Sequence, residues 1–437
     1  ISTRQPYREW VEANRIRLND IECQEPVQVG LSEEKLHEMQ LAFGYTREDI
    51  EHIIIPMIVE HKEPVSSMGN DMPLAVFSDL PQRLFNYFRQ LFAQVTNPAI
   101  DPLREKLVMT LTSYIGGEEN LLDESEEHCR MIQYTRPIFS NTDIHKISAW
   151  KNDVFNTATL DITFPVSEGT AGLEKALVRL WNEAQQKVSE GYSFLILSDR
   201  KVSAERVPIP SLLACSSVHH HLIRSDLRTK TGIVIETAEA REVMHFALLF
   251  GYGASAVNPY GVFATIHHLF KKGVLTGANH YLEAEDIYIE SIEKGLLKIL
   301  SKLGISTLRS YRGAQTFEAL GLSKEMVDKH FTGTASRIDG IGLEEIAQEA
   351  LMQHRIAFEE RPSMLESTGF YYYRKGGEQH AWNPESIHLM QWAVRNGDYE
   401  KYKKFAAYVN KFNQRPHFIR GFFEFKKGTT PVPIEEV

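Results

Sequence analysis

The chain has 437 residues, of which 43% are hydrophobic, and a formal net charge of −10. This composition is typical of globular proteins and excludes general disorder, and the length corresponds to roughly two or three domains. The acidic balance argues against a nucleic-acid partner, and the absence of an apolar run of about 18 residues argues against a membrane span.

The N-terminal third of the chain has the pattern of helices separated by loops. Ser32 is a suitable N-cap for a helix that Gly44 ends. A second helix begins at Thr46, and Pro56 should end or kink it. The apolar spacing within 81–94 predicts a further helix.

Between residues 158 and 320 the sequence alternates between strand-like and helix-like segments. The β-branched, aromatic or continuously apolar segments that predict strands are 159–164, 193–199, 232–237, 255–259 and 305–310. The segments that predict helices are 171–191, 209–225, 238–251, 260–273, 284–304 and 312–322.

This alternation predicts βαβ units around a parallel sheet. About five such units are too few for a closed eight-stranded barrel. We therefore expect an α/β fold whose parallel βα units form an incomplete, TIM-barrel-like sheet, with helical flanking segments at both ends. The expected divisions are a helical tail over 1–60, a helix and loop segment over 61–157, a βα-repeat core over 158–322 and a helical segment over 323–437.

The densest group of metal-binding side chains is the run His219, His220 and His221. Neutral imidazoles bind metals well, but consecutive side chains on a helix point about 100° apart, so at most two could reach one ion. Packing between a helix and a sheet also explains the run, and we assign no metal ligand.

Two glycine-containing stretches, 251–255 and 331–346, resemble nucleotide-binding loops only superficially. The first follows a predicted helix instead of a strand, so it is interpreted as a helix end and turn. The second could hold a phosphate at the start of a helix near Leu343, but no P-loop lysine follows. A glycine-shaped loop is the simpler interpretation.

The three cysteines are far apart and form no Cys-x-x-Cys pair, which excludes a zinc ribbon, an iron–sulfur cluster and a disulfide scaffold. Cys215 and His219 could touch on a predicted helix, although a buried structural thiol is the simpler interpretation. Cys23 has no base beside it, and Cys129 and His128 point apart as neighbours. So few thiols fit a reducing compartment, and we expect a cytoplasmic protein with no complete active site in this chain.

Six long segments carry a family resemblance, among them "SMGNDMPLAVFSD" and "HAWNPESIHLMQWAVRNGDYEKYKKF". The six segments are 67–79, 84–111, 232–260, 288–322, 331–347 and 380–405. Together they resemble the large subunit of glutamate synthase, and the similarity extends from about residue 5 to residue 437. The first and last residues also suggest a piece of a longer chain.

The resemblance implies a parent chain with four parts. An amidotransferase domain releases ammonia from glutamine, and a central domain follows it. An FMN-binding barrel with an iron–sulfur cluster then forms glutamate from 2-oxoglutarate, and a β-helix completes the chain. This chain resembles the central part, from the end of the amidotransferase region to the entrance of the FMN-binding domain.

The resemblance also implies partners and cofactors. We expect no cofactor within this chain, because FMN and the iron–sulfur cluster belong to another part of the parent. The expected partners are the amidotransferase and FMN-binding domains of the same parent chain, with a small flavoprotein subunit or ferredoxin reached through the parent. No nucleic acid or membrane is expected.

In this family, ammonia passes between the two active sites through an internal tunnel that the central domain partly walls. The residues that the resemblance implies as tunnel lining are Met68, Met72, Thr96, Asn97, Pro98 and Ile100. A mostly apolar wall suits ammonia, which must stay neutral.

The expected function is therefore a non-catalytic link between the glutaminase and synthase sites. Two alternatives stay open, namely an independent α/β enzyme with a metal site at His219–His221 and a pure assembly scaffold. The sequence does not distinguish NADPH, NADH or ferredoxin as the parent's electron donor.

Overall fold

The computed structural model describes residues 4–23, 30–65, 70–91, 100–118, 120, 122–150, 155–412, 417–424, 426–428, 430 and 432–436. The chain divides into two compact units. The first unit consists of Ile1–Ser66 and Pro81–Glu366, and the second of Ser67–Leu80 and Ser367–Val437. None of the described helices is both long and apolar enough to cross a membrane.

Helices lie along the whole chain. Those of the first unit are α1 (Tyr7–Asn14), α2 (Glu33–Ala42), α3 (Ile55–Val59), α4 (Glu105–Val108), α5 (Asn141–Ala149), α6 (Ala171–Ser189), α7 (Ser211–Arg224), α8 (Val243–Gly251), α9 (Tyr260–Lys271), α10 (Tyr281–Leu303), α11 (Leu308–Tyr311), α12 (Lys324–His330) and α13 (Leu343–Arg355). Those of the second unit are α14 (Pro384–Asn396) and α15 (Tyr399–Phe412).

The described strands all belong to the first unit. They are β1 (Ile16–Arg17), β2 (Phe88–Gln90), β3 (Ser113–Ile115), β4 (Ile132–Tyr134), β5 (Thr157–Asp161), β6 (Thr163–Pro165), β7 (Phe194–Ser198), β8 (Arg206–Pro208), β9 (Gly232–Glu236), β10 (Ala256–Asn258), β11 (Phe317–Leu322) and β12 (Ala335–Ile341). They form four sheets, in the orders β1-β4-β3, β10-β9-β7-β5, β12-β11-β2 and β6-β8.

The sheet of β5, β7, β9 and β10 is parallel throughout, and each of its strands pairs with the next one along the chain. Helices α6, α7 and α8 connect these strands and contact the sheet. Every residue of β7 and β9 is buried, as a parallel sheet covered on both faces requires. The α/β class and the parallel sheet are confirmed, and among the described residues the sheet does not close into a barrel.

The second face of this sheet packs against a smaller sheet and a helix. Because side chains alternate along a strand, Phe194 and Ile196 of β7 point to the same face. They share one apolar core with side chains from β3, β4 and α5, which include Ile115, Ile132, Tyr134, Ile144 and Ile147. The side that would form the interior of a barrel is therefore filled by the chain's own apolar residues.

Two predicted helices are wrong, because their residues pair as strands. The segment predicted as helix over 81–94 contains a 3₁₀ turn, Leu84–Tyr87, followed by β2. The segment predicted as helix over 312–322 contains β11, which pairs antiparallel with β2 and places Phe88 opposite Ala319. This pairing joins distant parts of the chain, and tertiary packing overrides the local helical spacing.

Three further predictions are corrected at the level of single elements. The strand predicted over 305–310 is a turn followed by α11, whose N-cap Thr307 accepts from the backbone N–H of Ser310. The helix predicted from 238 begins only at Val243. Of the two outcomes predicted for Pro56, an ended or a kinked helix, the first is wrong, because the helix continues to Val59; a wider π-helical stretch, Asp49–Ile54, precedes the proline.

Not every strand of the predicted βα-repeat core joins the parallel sheet. Strands β6 and β8 form a separate antiparallel pair, and β11 pairs parallel with β12 in another sheet. The helix boundaries were predicted better: Ser32 caps α2, and Gly304 ends α10 in the left-handed conformation at φ +69°.

The second unit is built around α14 and α15. Asn383 caps α14 by accepting from the backbone N–H groups of Glu385 and Ser386, and Gly397 ends that helix at φ +60°. Since only two residues separate the helices, they pack as a helical pair.

Candidate functional site

Ligands of parallel α/β folds bind at the carboxyl ends of the strands. In the first unit, polar residues stand at this carboxyl edge of the parallel sheet. Asp199 is the residue after β7. Glu236 is the last residue of β9, and Thr237 follows it. Asn258 is the last residue of β10. This edge is the candidate site because its buried acids and its position match the usual location of chemistry.

Asp199 is the centre of one hydrogen-bond network and is only 1% exposed. Its Oδ1 accepts from the hydroxyl of Tyr260 at 2.6 Å and from the backbone N–H of Ala238 at 3.2 Å. The hydroxyl of Thr237 donates to Oδ2. Burial outweighs these donors and raises the pKa of Asp199 to about 7.

Glu236 is the second buried acid of this edge. Its Oε2 accepts from the hydroxyl of Ser198 at 2.6 Å, and its Oε1 accepts from Nε of Arg200 at 2.6 Å. The guanidinium of Arg200 also lies 4.0 Å from the ring centre of Tyr260, which links the two acid networks.

A completely buried arginine connects this edge to the N-terminal part of the first unit. Arg241 donates to the carbonyl of Phe43 at 3.0 Å and to that of Gly44 at 2.6 Å. Its Nη2 lies 3.3 Å from the carboxylate of Asp49. Burial alone would raise the pKa of Asp49, but Arg241 and Arg83 outweigh it and the net pKa is lowered.

The segment after α2 therefore covers the carboxyl edge. Tyr45 donates to the carbonyl of Ala238 at 2.8 Å, and its ring stacks on Arg241 at 4.1 Å. Gln40 of α2 donates to the hydroxyl of Thr265 in α9. The acids of this edge bond to the chain's own donors, which is the arrangement of a structural closure.

Sequence reasoning did not select these residues. Asp199 and Glu236 follow two strands that were predicted correctly, and that position is the signal that could have identified them. Arg241 lay within a predicted helix, and its partners stand about 200 residues earlier, so no local pattern indicates its role.

Two of the three consecutive histidines, His219 and His221, bond to different partners. His219 accepts through Nδ1 from Nε of Arg228 at 2.8 Å, and burial lowers its pKa well below the usual value. His221 bonds Gln185 at 3.0 Å and stacks on Trp181. Among the described residues no group of three or more acid, histidine or cysteine side chains is arranged to hold a metal ion.

Cys215 interacts with backbone carbonyls of α8 and the turn after it. Its thiol lies 3.8 Å from the carbonyl of Leu249 and 3.6 Å from that of Tyr252, and burial raises its pKa to about 12. This environment is that of a structural thiol. The expectation for Cys23 is wrong, because Nδ1 of His145 lies 3.4 Å from its sulfur.

The stretch 331–346 is a strand and the start of a helix. Residues Ala335–Ile341 form β12, and α13 begins at Leu343. The carboxylate of Glu345 accepts from the backbone N–H of Gly342 at 2.8 Å. Because a carboxylate of the chain already interacts with this helix N-terminus, the site is unsuited to a phosphate.

Of the residues implied as tunnel lining, the structure describes two. Met72 is half-buried in the second unit, and its N–H donates to the side chain of Asn70 at 2.9 Å. Ile100 is half-buried in the first unit. Met68, Thr96, Asn97 and Pro98 lie outside the described residues.

Two segments that carry the family resemblance meet inside the second unit. Nδ1 of His380 lies 2.9 Å from the carboxylate of Asp71, and its Nε2 lies 2.7 Å from the carbonyl of Gly369. Asp71 also accepts from the backbone N–H of Trp382 at 3.0 Å, which anchors the loop before Met72.

These features define an α/β domain of consecutive βα units whose carboxyl edge is closed by its own side chains. The family model of the glutamate synthase central domain matches residues 38–323. The chain belongs to this family, the glutamate synthase central domain.

Curated relatives share similarity over the whole chain. This chain is 44% identical over 439 residues to the NADPH glutamate synthase large chain of Bacillus subtilis, and it covers 28% of that protein. It is 40% identical to the NADH glutamate synthase of Schizosaccharomyces pombe, covering 21%, and 40% identical to the ferredoxin-dependent glutamate synthase of Pyropia yezoensis, covering 29%. The chain thus spans between a fifth and a third of these relatives.

Similarity to solved structures is weak. The flavin-binding domain of baker's yeast flavocytochrome b2 matches 66% of this chain and 92% of its own, with 9% sequence identity and a TM-score of 0.32. This value is below the level at which a common fold can be inferred.

Proposed function

We propose that this chain is the central, non-catalytic region of a glutamate synthase large subunit, which links the glutaminase and FMN synthase sites and helps to wall the ammonia tunnel. The parent reaction is the reductive formation of glutamate from 2-oxoglutarate and glutamine-derived ammonia. FMN and an iron–sulfur cluster belong to other parts of the parent, which acts in the cytoplasm. The electron donor stays open, because the relatives are named for NADPH, NADH and ferredoxin.

The observation that carries this proposal is the closed carboxyl edge of the parallel sheet. Enzymes built from parallel βα units place substrate at this edge. Here Asp199, Glu236 and Arg241 bond to the chain's own groups, and the segment around Tyr45 covers them. Four consecutive parallel strands with closed ends are consistent with an incomplete TIM-barrel-like sheet that serves as a spacer between the parent's active sites.

Support for the tunnel role comes from the anchored loop in the second unit. Asp71 is held by His380 and Trp382, and it immediately precedes Met72. A fixed backbone at this point would keep an apolar side chain in a constant position, which a passage for a small neutral molecule requires. His219 and His221 do not favour the metal-enzyme alternative, since they bond to separate partners.

The test is a steric series at Met72 in the full-length glutamate synthase. Met72→Trp should narrow the passage, so that glutamine hydrolysis persists while glutamine-dependent glutamate formation falls severalfold. Met72→Leu is the matched control, because it conserves volume and should leave the two half-reactions coupled. Glutamate formation from high external ammonia should fall less than formation from glutamine.

The scaffold alternative predicts another outcome for the same series. If Met72 only stabilises the fold, both half-reactions should decline together with the melting temperature. Equal loss of both activities, or no loss with Met72→Trp, would reject the tunnel role of this loop. The closed carboxyl edge would then support the scaffold function alone.

A further inference from the structure

Two arginines converge at the amino edge of the parallel sheet, where β9 and β10 begin. Arg228 precedes β9 and donates to the carbonyls of Thr231 at 2.7 Å and Gly253 at 2.8 Å. Arg312 follows α11, and the next residue, Gly313, donates its N–H to the carbonyl of Gly251 at the end of α8. Burial, and then the proximity of Arg312, lower the pKa of Arg228 to about 9.

The two arginines differ in how their donors are satisfied. The guanidinium of Arg228 bonds to two carbonyls and to Nδ1 of His219. Nε and Nη2 of Arg312 are buried, and no described group accepts a hydrogen bond from either nitrogen. These two nitrogens form one side of the planar guanidinium, the fork that matches a carboxylate or a phosphate in two parallel hydrogen bonds.

The charges around this fork do not cancel. The acid that acts on Arg228 is Glu118, and Nη2 of Arg309 donates to its carboxylate at 2.5 Å. His219 and Cys215 are neutral, because burial lowers the pKa of the imidazole and raises that of the thiol. Among the residues that the structure describes, with Arg309 and Glu118 paired, Arg228 and Arg312 leave an excess of two positive charges.

Hydroxyl groups of the smaller sheet belong to the surroundings of Arg312. Its charge acts on Tyr134 of β4, whose hydroxyl donates to the carbonyl of Ser255 at 2.6 Å. Ser113 of β3 is the cross-strand neighbour of Tyr134 and is 2% exposed. Water could satisfy the free donors of Arg312, but only an anion would also compensate the charge.

We propose that Arg312 binds a small carboxylate or phosphate anion at this amino edge, with Arg228 supplying a second positive charge. The anion would accept from Nε and Nη2 of Arg312 and lie near the hydroxyls of Ser113 and Tyr134. The site is independent of the proposed tunnel function, because it lies at the opposite end of the sheet from the closed carboxyl edge. Its role is to complete the charge balance where β4, α8 and α11 meet.

The experiment is thermal unfolding of the full chain in sodium chloride, sodium acetate and sodium phosphate at matched ionic strength. Acetate represents free carboxylates, and inorganic phosphate represents phosphate groups. A ligand that binds the folded state alone raises the melting temperature, and we expect a rise of about 2–4 °C in at least one of the two salts. Isothermal titration with the effective anion should show one site per chain.

Arg312→Met is the decisive variant. It should lose the anion-dependent rise, and in chloride it should be at least as stable as the wild type, because two buried donors without a partner have been removed. Arg47→Met is the matched control, since Arg47 pairs with Glu51 and takes no part in the charges around Arg312. It should keep the full anion response. Arg312→Lys retains the charge without the fork and should reduce the affinity at least tenfold.

Equal anion responses in the wild type and Arg312→Met would overturn the proposal, because the effect would then be a general salt effect. The proposal would also be overturned if neither anion raised the melting temperature of the wild type at concentrations up to about 100 times a millimolar dissociation constant. If Arg312→Met does not fold, titration of Arg312→Lys against the wild type decides the question in the same way.

Discussion

The carboxyl and amino edges of the parallel sheet differ in how they compensate buried charge. At the carboxyl edge, Arg241 meets the carboxylate of Asp49, and Glu236 meets Arg200. At the amino edge, Arg228 bonds to neutral acceptors, namely two carbonyls and an imidazole. Opposite charges therefore meet at one edge, whereas like charges meet at the other.

This difference shows at which edge the buried charges are compensated by residues of the chain itself. A buried pair of opposite charges needs no further partner, and its loss leaves one charge uncompensated. Carbonyl oxygens satisfy hydrogen bonds without cancelling charge, so the amino edge stays positive. Barrel enzymes bind their substrates at the carboxyl edge, which is closed in this chain. For this reason we propose that the function of this domain does not depend on a substrate site at that edge.

The largest expected effect comes from breaking the ion pair at the carboxyl edge. Arg241→Met should lower the free energy of unfolding by about 3–5 kcal/mol, because Asp49 is left buried with a poorer partner. The carbonyls of Phe43 and Gly44 lose their donors as well. Urea unfolding monitored by circular dichroism measures this loss.

The control for that prediction is an exposed ion pair on the same side of the first unit. Arg47→Met removes the partner of Glu51, where the arginine is 66% exposed, and should change stability by less than about 0.5 kcal/mol. Adding Asp49→Leu to Arg241→Met should recover part of the lost stability. A loss below about 1 kcal/mol for Arg241→Met would contradict the assigned closure.

A smaller effect is expected at the amino edge. Arg228→Met removes the donor from two carbonyls and from His219, and it should lower the free energy of unfolding by about 1.5–3 kcal/mol. The loss is limited because the substitution also relieves repulsion with Arg312. Chemical denaturation of the variant in chloride buffer gives the value.

A double-mutant cycle sharpens the comparison between the edges. The loss from Arg228→Met should be larger in an Arg312→Met background, since no repulsion is then left to relieve. The interaction energy from the cycle of Arg241 and Asp49 should have the opposite sign, because each single substitution there leaves one buried charge without its partner. Equal signs for the two cycles would show that the edges do not differ as described.

The smallest expected effect is a pH dependence at Asp199. Its pKa is raised to about 7 in the folded state, so the folded chain binds more protons than the unfolded chain between about pH 4 and pH 7. Stability from this group is present at low pH and is lost as the pH rises through 7. Asp199→Asn stays neutral and should be about 1–2 kcal/mol more stable relative to the wild type at pH 8 than at pH 6.

Asp328→Asn is the matched control, because Asp328 is exposed on α12. Its stability difference from the wild type should be the same at both pH values. Unfolding free energies at pH 6 and pH 8 for the three proteins complete the test. An identical pH profile for the wild type and Asp199→Asn would show that Asp199 does not hold its proton at neutral pH.

Sequence patterns predicted the parallel core well and the outer strands poorly. Strands β7 and β9 are short, continuously apolar and followed by amphipathic helices, so their type is visible locally. The segments 81–94 and 312–322, which contain β2 and β11, have Phe, Leu and Ala at spacings that also suit a helix. They become strands because they pair with each other, about 230 residues apart, and a local window does not contain that partner.

The candidate site shows the same limit. Sequence analysis found no base near Cys23, yet His145 contacts it from a separate helix. It singled out the histidines because they are the densest group of metal-binding side chains, whereas in the structure His219 accepts from Arg228. The family resemblance identified the loop of Asp71 and the segment of His380 separately, and only their contact shows that one anchors the other.

The sequence by itself determined the α/β class, the βα alternation, most helix ends and the family. Those properties follow from hydrophobic periodicity, capping residues and motifs, which act over a few residues. The tertiary structure decided which edge is closed, which charges are paired and where Arg312 keeps free donors. Burial and electrostatic compensation depend on groups brought together from distant parts of the chain, because the energy of a charge is set by its surroundings in space.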